Sequence, residues 1–384
     1  MLQRYSFPTN ILFGEGAIRE LPQYLIAHSL EKPLIVTDPV VIQLPFFQDI
    51  IADLKKYDIR VTVFDQLHKN PLKSDVLNGK EAYKHSNCII GLGGGVAMDT
   101  ARAIALSIHH QEDLFYYDDL EGGSKCITHP IPPLITIPTT AGTGSEVGRS
   151  AIISEDESKR KRILFHPRLM AQQVFADPAL TYDLPASITT ATGMDALTHH
   201  IEAFLSKGFH PMADGIALEG IRLIFSSLEN CVKKPTPEDR GNMMIASLMG
   251  AVAFQKGLGL VHSLAHPLST LLDMHHGLAN AIMLPYGLSF NYEGLEEKFE
   301  RMATASGVNG LRGEGFIDAI LQLNQTLDIP SLSDEGVKEI HIPQLTELCL
   351  KDFCLPSNPK SIREEEVKAI YEQALAKRVE PLNR

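Results

Sequence analysis

Two textures divide this chain, and the change between them limits what it can fold into. Up to about residue 183, short apolar runs rich in Val, Ile and Leu alternate with helical segments. PLIVTD (33–38), RVTVFD (60–65), NCIIGLGGG (87–95) and PLITIPTTAGTGSE (133–146) read as strands, the last two running into Gly- or Thr-rich loops. SAIIS (150–154), RILFH (162–166) and QQVFAD (172–177) read as further strands, and 50–57, 73–86 and 96–110 as helices. This is the rhythm of a parallel sheet covered by helices. From residue 184 strand-like runs nearly vanish, and 186–205, 211–231, 237–255, 258–272, 277–290, 294–305, 312–326, 334–352 and 361–376 all read as helices between Pro, Gly and Asn punctuation. The expected organisation is an α/β domain with a parallel, Rossmann-like sheet over 1–183 and an all-α domain over 184–384, with a cleft between them as the natural site.

The helical half carries the chemistry. GLGLVHSLAHPLSTLLDMHHGLANAIMLP (257–285) holds His262, His266, His275 and His276, and MDALTHHIEAF (194–204) adds Asp195, His199 and His200. A buried imidazole needs a polar partner, and this many in apolar helices point to a metal ion. Asp195 and His199 are four apart, so on a helix they share a face, as do His262 and His266. His276 follows after Asp273 and just before Gly277, which is placed to end the preceding turn and let a helix start beside the histidine. One carboxylate and two or three imidazoles suit Fe(II), Zn(II) or a similar divalent ion with open positions for substrate. Spacing alone leaves His266 open as a ligand. His200 and His275 read as neighbours of ligands.

The first half carries nucleotide-type signals. Gly91-Leu92-Gly93-Gly94-Gly95 follows a strand and opens a helix, so backbone N–H groups and the helix dipole are offered to a pyrophosphate. Asp99 lies at the start of that helix. Asp38 ends an earlier strand and is placed to accept ribose hydroxyls if that strand lies beside the glycine turn, which favours NAD over NADP because a carboxylate repels a 2′-phosphate. The loop Pro138 to Glu146 is dense in small hydroxyls around Thr139, Thr140 and Thr143. Its local chemistry suits an amide or a phosphate next to a flat ring.

Charge and cysteine usage exclude other classes. The net charge of −12 argues against a nucleic-acid binder, and Lys159-Arg160-Lys161-Arg162 is the one dense basic cluster. Five cysteines without CxxC spacing fit a reducing cytoplasm. The N-terminus shows no signal pattern and no apolar run reaches the length of a membrane span, so a cytoplasmic location without membrane attachment is expected.

Taken together, IVTDP (35–39), GLGGGxxxDxAR (91–102), PTTAGTGSE (138–146), GMDALTHHIEAF (193–204) and the histidine segment resemble the iron-dependent (group III) alcohol dehydrogenase family over roughly three-quarters of the chain. The resemblance implies a dehydroquinate synthase-like architecture. It implies Asp195, His199, His262 and His276 as metal ligands, and His266 as the pocket histidine beside the nicotinamide that helps proton transfer. It also implies Asp38 on the ribose, Asn70 on the adenosine side, and Gly94, Gly95 and Val96 with Asp99 at the pyrophosphate. Thr139, Thr140 and Thr143 would line the nicotinamide, and Lys161 would reach the cofactor ribose. Val96 and Arg102 replace the family's usual Ser and Lys, and Phe254-Gln255-Lys256-Gly257 departs from better-known members.

The implied activity is hydride transfer between a primary alcohol, or its aldehyde, and NAD in a homodimer holding Fe(II), with Zn(II) accepted by the same ligands. A zinc-dependent polyol or hydroxy-acid dehydrogenase and a dehydroquinate synthase-type lyase are the competing readings. A charged substrate would find Lys256 if that side chain points into the cleft.

Overall fold

The computed structural model describes residue 7 and residues 9–379. The first six residues, where no signal pattern is read, lie outside the described part. The chain divides into two compact units. One comprises 7–140 and 144–183, and the other holds 141–143 and runs on from Leu184.

In the first unit, strands β1 (Asn10–Phe13), β2 (Pro33–Val36), β3 (Thr62–Phe64), β4 (Cys88–Gly93), β5 (Leu134–Pro138), β6 (Ser150–Ser154), β7 (Lys161–Phe165) and β8 (Gln173–Ala176) alternate with α1 (Leu21–Ala27), α2 (Pro45–Lys56), α3 (Lys73–Ala82) and α4 (Gly95–His109). Six strands form one sheet in the order β1-β8-β5-β4-β2-β3, and every pairing in it is parallel. Successive side chains of a strand point to opposite faces. Leu34, Val36 and Ile89 therefore join one core with Val76 of α3 and Ile104 of α4. Ile35, Ile90 and Leu92 join the other, with Leu25 of α1 and Leu54 of α2. Both faces are covered, which explains the unbroken apolar runs. A fully buried side chain such as Ile90 contributes about 1.5–3 kcal/mol.

Two features differ from the sequence reading. Residues 150–154 and 161–165 form a separate antiparallel hairpin, Ser150 opposite Phe165 and Ser154 opposite Lys161, not strands of the parallel sheet. β1, whose residues are mostly exposed, joins the edge of the main sheet unforeseen because it lacks a buried apolar stripe.

The described remainder of the second unit is helical: α5 (Ala186–Leu205), α6 (Pro211–Lys233), α7 (Pro237–Ala253), α8 (Leu260–Leu272), α9 (His276–Tyr292), α10 (Glu296–Ala305), α11 (Phe316–Thr326), α12 (Ile342–Leu350) and α13 (Glu364–Leu375). Every residue of α5 from Thr189 to Leu205 is buried, so this helix is the unit's axis. It packs against α6, α7 and α9. A helix was expected from residue 334, but α12 starts only at Ile342, because 332–336 form turns closed by Gly336 at φ +79°. Asp273, in the left-handed conformation at φ +53°, ends α8. Gly277 therefore serves a different purpose from the one its position suggested. A Cβ there would lie 2.2 Å from the Ala191 carbonyl oxygen, so glycine lets α9 approach α5 beside His276. Among the described residues, no single helix is long and apolar enough to cross a membrane.

Candidate metal centre

Three helices of the second unit bring four donors together. Asp195 and His199 lie one turn apart on α5, His262 on the first turn of α8, and His276 at the start of α9. From Asp195 Oδ1 the distances are 3.9 Å to His199 Nε2, 3.9 Å to His262 Nε2 and 3.4 Å to His276 Nε2. A tetrahedron with bonds of about 2.1 Å has edges of about 3.4 Å, so these separations fit a divalent ion held by nitrogen and oxygen. Asp195, His199 and His262 are buried, while the His276 side chain keeps 30% of its exposure and marks the open side.

Electrostatics favour ligation at Asp195 and His199. Burial raises the cost of ionising Asp195, but the imidazoles of His199, His276 and His262 and the Asn280 amide outweigh it and bring its pKa to about 2. Burial pushes His199 down to about 4 despite Asp195, so its lone pair is available at neutral pH. His262 is shifted up: burial opposes its charge, but Glu202 overrides that.

Residues that the sequence reading did not single out shape the ligands. Glu202 Oε2 lies 2.6 Å from His262 Nδ1. This fixes Nδ1 as the donor and turns the Nε2 lone pair towards Asp195. The Asn280 amide donates to Asp195 Oδ1 at 2.7 Å and lies 3.2 Å from the Nε2 atoms of both His262 and His276. Helical spacing signals both residues: Glu202 is seven after Asp195 on α5, and Asn280 four after His276 on α9. Asp352, 2.7 Å from His266 Nδ1, comes from far along the chain and has no such signal.

The other histidines separate cleanly. His266 lies outside the ligand cluster, its ring stacked on His276 at 5.2 Å and on Phe353 at 5.2 Å. His200 points away into the contact with α7, its Nε2 2.8 Å from the Ala246 carbonyl oxygen, and is held neutral by burial with a pKa of about 4. His275 occupies the N-cap position of α9 without a side-chain capping bond. Lys256 is not offered to a substrate. Its Nζ bonds Asp214 Oδ1 at 2.5 Å and the Phe204 carbonyl at 3.0 Å, and its side chain is buried.

The nucleotide-type residues gather mainly at the C-terminal ends of adjacent strands. Val36 pairs with Gly91, and Gly93 with Pro138, so the ends of β2, β4 and β5 lie side by side. Asp38 Oδ1 accepts the N–H groups of Val40 and Val41 at 3.0 Å, and its Oδ2 lies 3.4 Å from where a Cβ of Gly93 would stand. Thr139 N–H donates to the Gly93 carbonyl at 3.0 Å, and Thr140 lies against Gly94, the N-cap of α4, with Gly95 and Val96 in its first turn. Lys161 opens β7 opposite Ser154 of β6, and Asn70 lies next to Pro71, whose carbonyl accepts the Ser154 N–H. Asp99 turns inward instead, accepting from Ser145 Oγ at 2.6 Å, Arg102 at 3.2 Å and Ile152 N–H at 3.0 Å. Thr143 lies in the loop tip that groups with the helical unit, where Gly142 has no room for a Cβ against Thr192, 2.6 Å away.

Comparison with known proteins agrees with the donor set. Residues 8–178 match the family model described as iron-containing alcohol dehydrogenase, and 189–375 the Fe-containing alcohol dehydrogenase family, C-terminal. A 4-hydroxybutyrate dehydrogenase of Cupriavidus necator is 36% identical over 381 residues, covering 96% of this chain and 98% of the relative. The crystal structure of a 1,3-propanediol oxidoreductase has a TM-score of 0.91 at 34% identity, covering 97% of this chain and 100% of that one. The sulfoacetaldehyde reductase from Bifidobacterium kashiwanohense, in complex with NAD+, has a TM-score of 0.87 at 27% identity, covering 98% and 99%.

Proposed function

The chain belongs to the iron-containing alcohol dehydrogenase family, and we propose how its residues divide the work. It is a metal-dependent alcohol dehydrogenase, an oxidoreductase acting on CH–OH groups with NAD. The proposed substrate is a small primary alcohol or its aldehyde. The observation that supports this reading is that the Nε2 atoms of His199, His262 and His276 all lie within 3.9 Å of Asp195 Oδ1.

Fe(II) is the proposed occupant, with Zn(II) accepted by the same donors. Such an ion supplies Lewis acidity, which lowers the pKa of an alcohol oxygen or polarises a carbonyl. Bound NAD supplies the hydride acceptor at nicotinamide C4. The chain does the rest. Asp195 offsets part of the ion's charge, and Glu202 keeps His262 in the ligating tautomer. His266 takes the alcohol proton at Nε2 and passes it towards solvent, or returns it in the reverse direction. Asp38 Oδ2 accepts the ribose hydroxyls and repels a 2′-phosphate, so NAD is preferred to NADP. Backbone N–H groups at Gly94, Gly95 and Val96 hold the pyrophosphate, and Asp99 ties the same helix start to Ser145 and Ile152. Thr139, Thr140 and Thr143 line the nicotinamide, and Asn70 and Lys161 the adenosine side and the ribose. We assign residues 1–183 to dinucleotide binding and 184–384 to the metal and catalysis, in a cytoplasmic homodimer.

Protein purified anaerobically and reconstituted with Fe(II), and separately with Zn(II), is to be assayed on an alcohol and aldehyde panel with NAD and NADP. Aldehyde-dependent NADH oxidation supports the assignment. Absence of net redox turnover with either ion would point to the lyase reading instead. Equal turnover of neutral and carboxylated alcohols is expected, given that Lys256 is engaged internally.

A further inference from the structure

His266 is held on three sides. His276 stacks on its ring at an interplanar angle of 17°, and Phe353 at 28°. The two stacks define the ring plane but leave the ring free to make a half-turn about Cβ–Cγ, which would exchange Nδ1 with Cδ2 and Nε2 with Cε1, and leave open which nitrogen carries the proton. Asp352 removes that freedom, because its Oδ2 lies 2.7 Å from His266 Nδ1. The carboxylate is itself clamped: Oδ1 accepts Ser263 Oγ at 3.0 Å and the Cys354 N–H at 2.9 Å. It is a buried group in the turn after α12, eighty-six residues beyond His266. Burial disfavours its charge, but His266, the Cys354 N–H and Ser263 outweigh that and hold its pKa below the usual carboxylate value. The arrangement repeats what Glu202 does for His262 one helical turn earlier on α8, at 2.6 Å. The two histidines therefore share a tautomer and differ in their company: His262 groups with Asp195 and His199, whereas His266 groups with Asp352 and Cys354.

We propose that Asp352 is the positioning residue for the proton-transfer step: it keeps the His266 Nδ1 protonated and the ring in one orientation, so that Nε2 presents its lone pair to the substrate hydroxyl. This rests on the proton role given to His266 above. In the step, the alcohol O–H bond breaks, its proton goes to Nε2, and the electron pair stays on oxygen as hydride leaves carbon for the nicotinamide. Nδ1–H remains bonded to the carboxylate throughout, which stabilises the imidazolium that forms. In the reverse direction the Nε2 proton returns to the oxygen. Cys354 takes no part as a nucleophile: burial, Asp352 and Glu202 push its thiol well above its ordinary pKa.

The test compares D352N, D352A, H266A and D352N/H266A as Fe(II)-loaded full-length enzymes. Asp352→Asn and Asp352→Ala should each lower kcat about 10–100-fold, as is usual for a partner that orients a working histidine, with KM and bound iron close to wild type; the thermal midpoint should hold in D352N and fall in D352A, where Ser263 and the Cys354 N–H lose their acceptor. The double variant should be no slower than H266A alone, because two residues acting through one group are not additive. A multiplicative double variant, or wild-type kcat in D352N beside a slow H266A, overturns the role of Asp352. A full-speed H266A overturns the proton role itself, and this inference with it. A readout independent of turnover uses the Zn(II)-loaded chain labelled with 15N-histidine. The His266 Nδ1–H proton should resonate far downfield and vanish in both H266A and D352A. No such resonance in the wild type would also refute the proposal.

Discussion

Glu202 on α5 reaches the first turn of α8 and touches it three times: Oε1 accepts the Val261 N–H at 2.6 Å, and Oε2 accepts the His262 N–H at 3.2 Å and His262 Nδ1 at 2.6 Å. The Leu260 N–H is taken by Asn358 Oδ1 at 3.1 Å, so the helix start that carries a ligand is fully partnered by distant residues. One carboxylate thus caps a helix and sets a ligand's tautomer.

Replacing it should therefore separate two losses. Glu202→Gln keeps acceptor capacity at the helix start but disturbs the bond to Nδ1, and is expected to weaken metal affinity about 10–100-fold with little change in stability. Glu202→Ala should show the same affinity loss plus about 1 kcal/mol from the lost cap. Competition against a calibrated chelator and urea unfolding of the metal-free chain measure the two terms.

Removing a ligand should be more severe. In His276→Ala the only partly exposed donor is lost, and iron content and alcohol-dependent NADH formation are expected to vanish together. Elemental analysis of anaerobically reconstituted protein beside the activity assay decides it. An active, metal-free variant would sink the metal-dependent mechanism.

Residue type and helical spacing, both local properties, mark a metal-binding acid and histidines but leave His266 open beside His262; the set of four proposed ligands, with His276, comes from the family resemblance. Glu202 and Asn280 carry the same kind of local signal, about two helical turns after Asp195 and one after His276. Asp352 carries none: its bond to His266 is made by tertiary packing of the turn after α12. The same divide runs through the fold. The core strands announced themselves by unbroken apolar runs, but the partner of a strand is not a local property, so SAIIS and RILFH were read as strands and assigned to the wrong sheet. β1, mostly exposed at a sheet edge, carried no burial signal.

His200, read as a neighbour of the ligands, has a structural place. A Cβ on Gly220 would stand 1.9 Å from its Cε1, and the ring also lies against Gly250. Gly220→Ala should therefore force the imidazole from its bond to Ala246 and cost about 1–3 kcal/mol by overpacking, while leaving metal content unchanged. Urea unfolding with metal analysis reads both, and loss of iron at unaltered stability would contradict this placement.

Asp38 offers a way to separate its two oxygens. Asp38→Asn retains an acceptor for the Val40 and Val41 N–H groups but removes the charge beside Gly93. Discrimination between the coenzymes should shrink by about tenfold, equivalent to about 1.4 kcal/mol, through a lower KM for NADP at nearly constant stability. An unchanged NADP-to-NAD ratio in kcat/KM would remove Asp38 from the ribose site.

A last prediction concerns pH and a buried acid away from the metal. In the first unit Arg102 is fully buried and pairs with Asp99. Glu146 is buried nearby, and its Oε1 has no hydrogen-bond partner. Burial raises its pKa from 4.5 to about 7, with its own backbone N–H and Arg102 only partly opposing. The folded state therefore holds a proton that the unfolded chain releases near pH 4.5. The resulting stability is fully present below that pH, declines as pH rises towards about 7, and is absent above. At roughly 1.4 kcal/mol per pH unit across that window the difference is about 3 kcal/mol. Glu146→Gln stays neutral throughout, so its stability relative to wild type should grow by about that amount between pH 4.5 and pH 8. Urea unfolding of both proteins at matched ionic strength measures the gap. A gap that stays constant with pH would show that Glu146 is already ionised in the native fold.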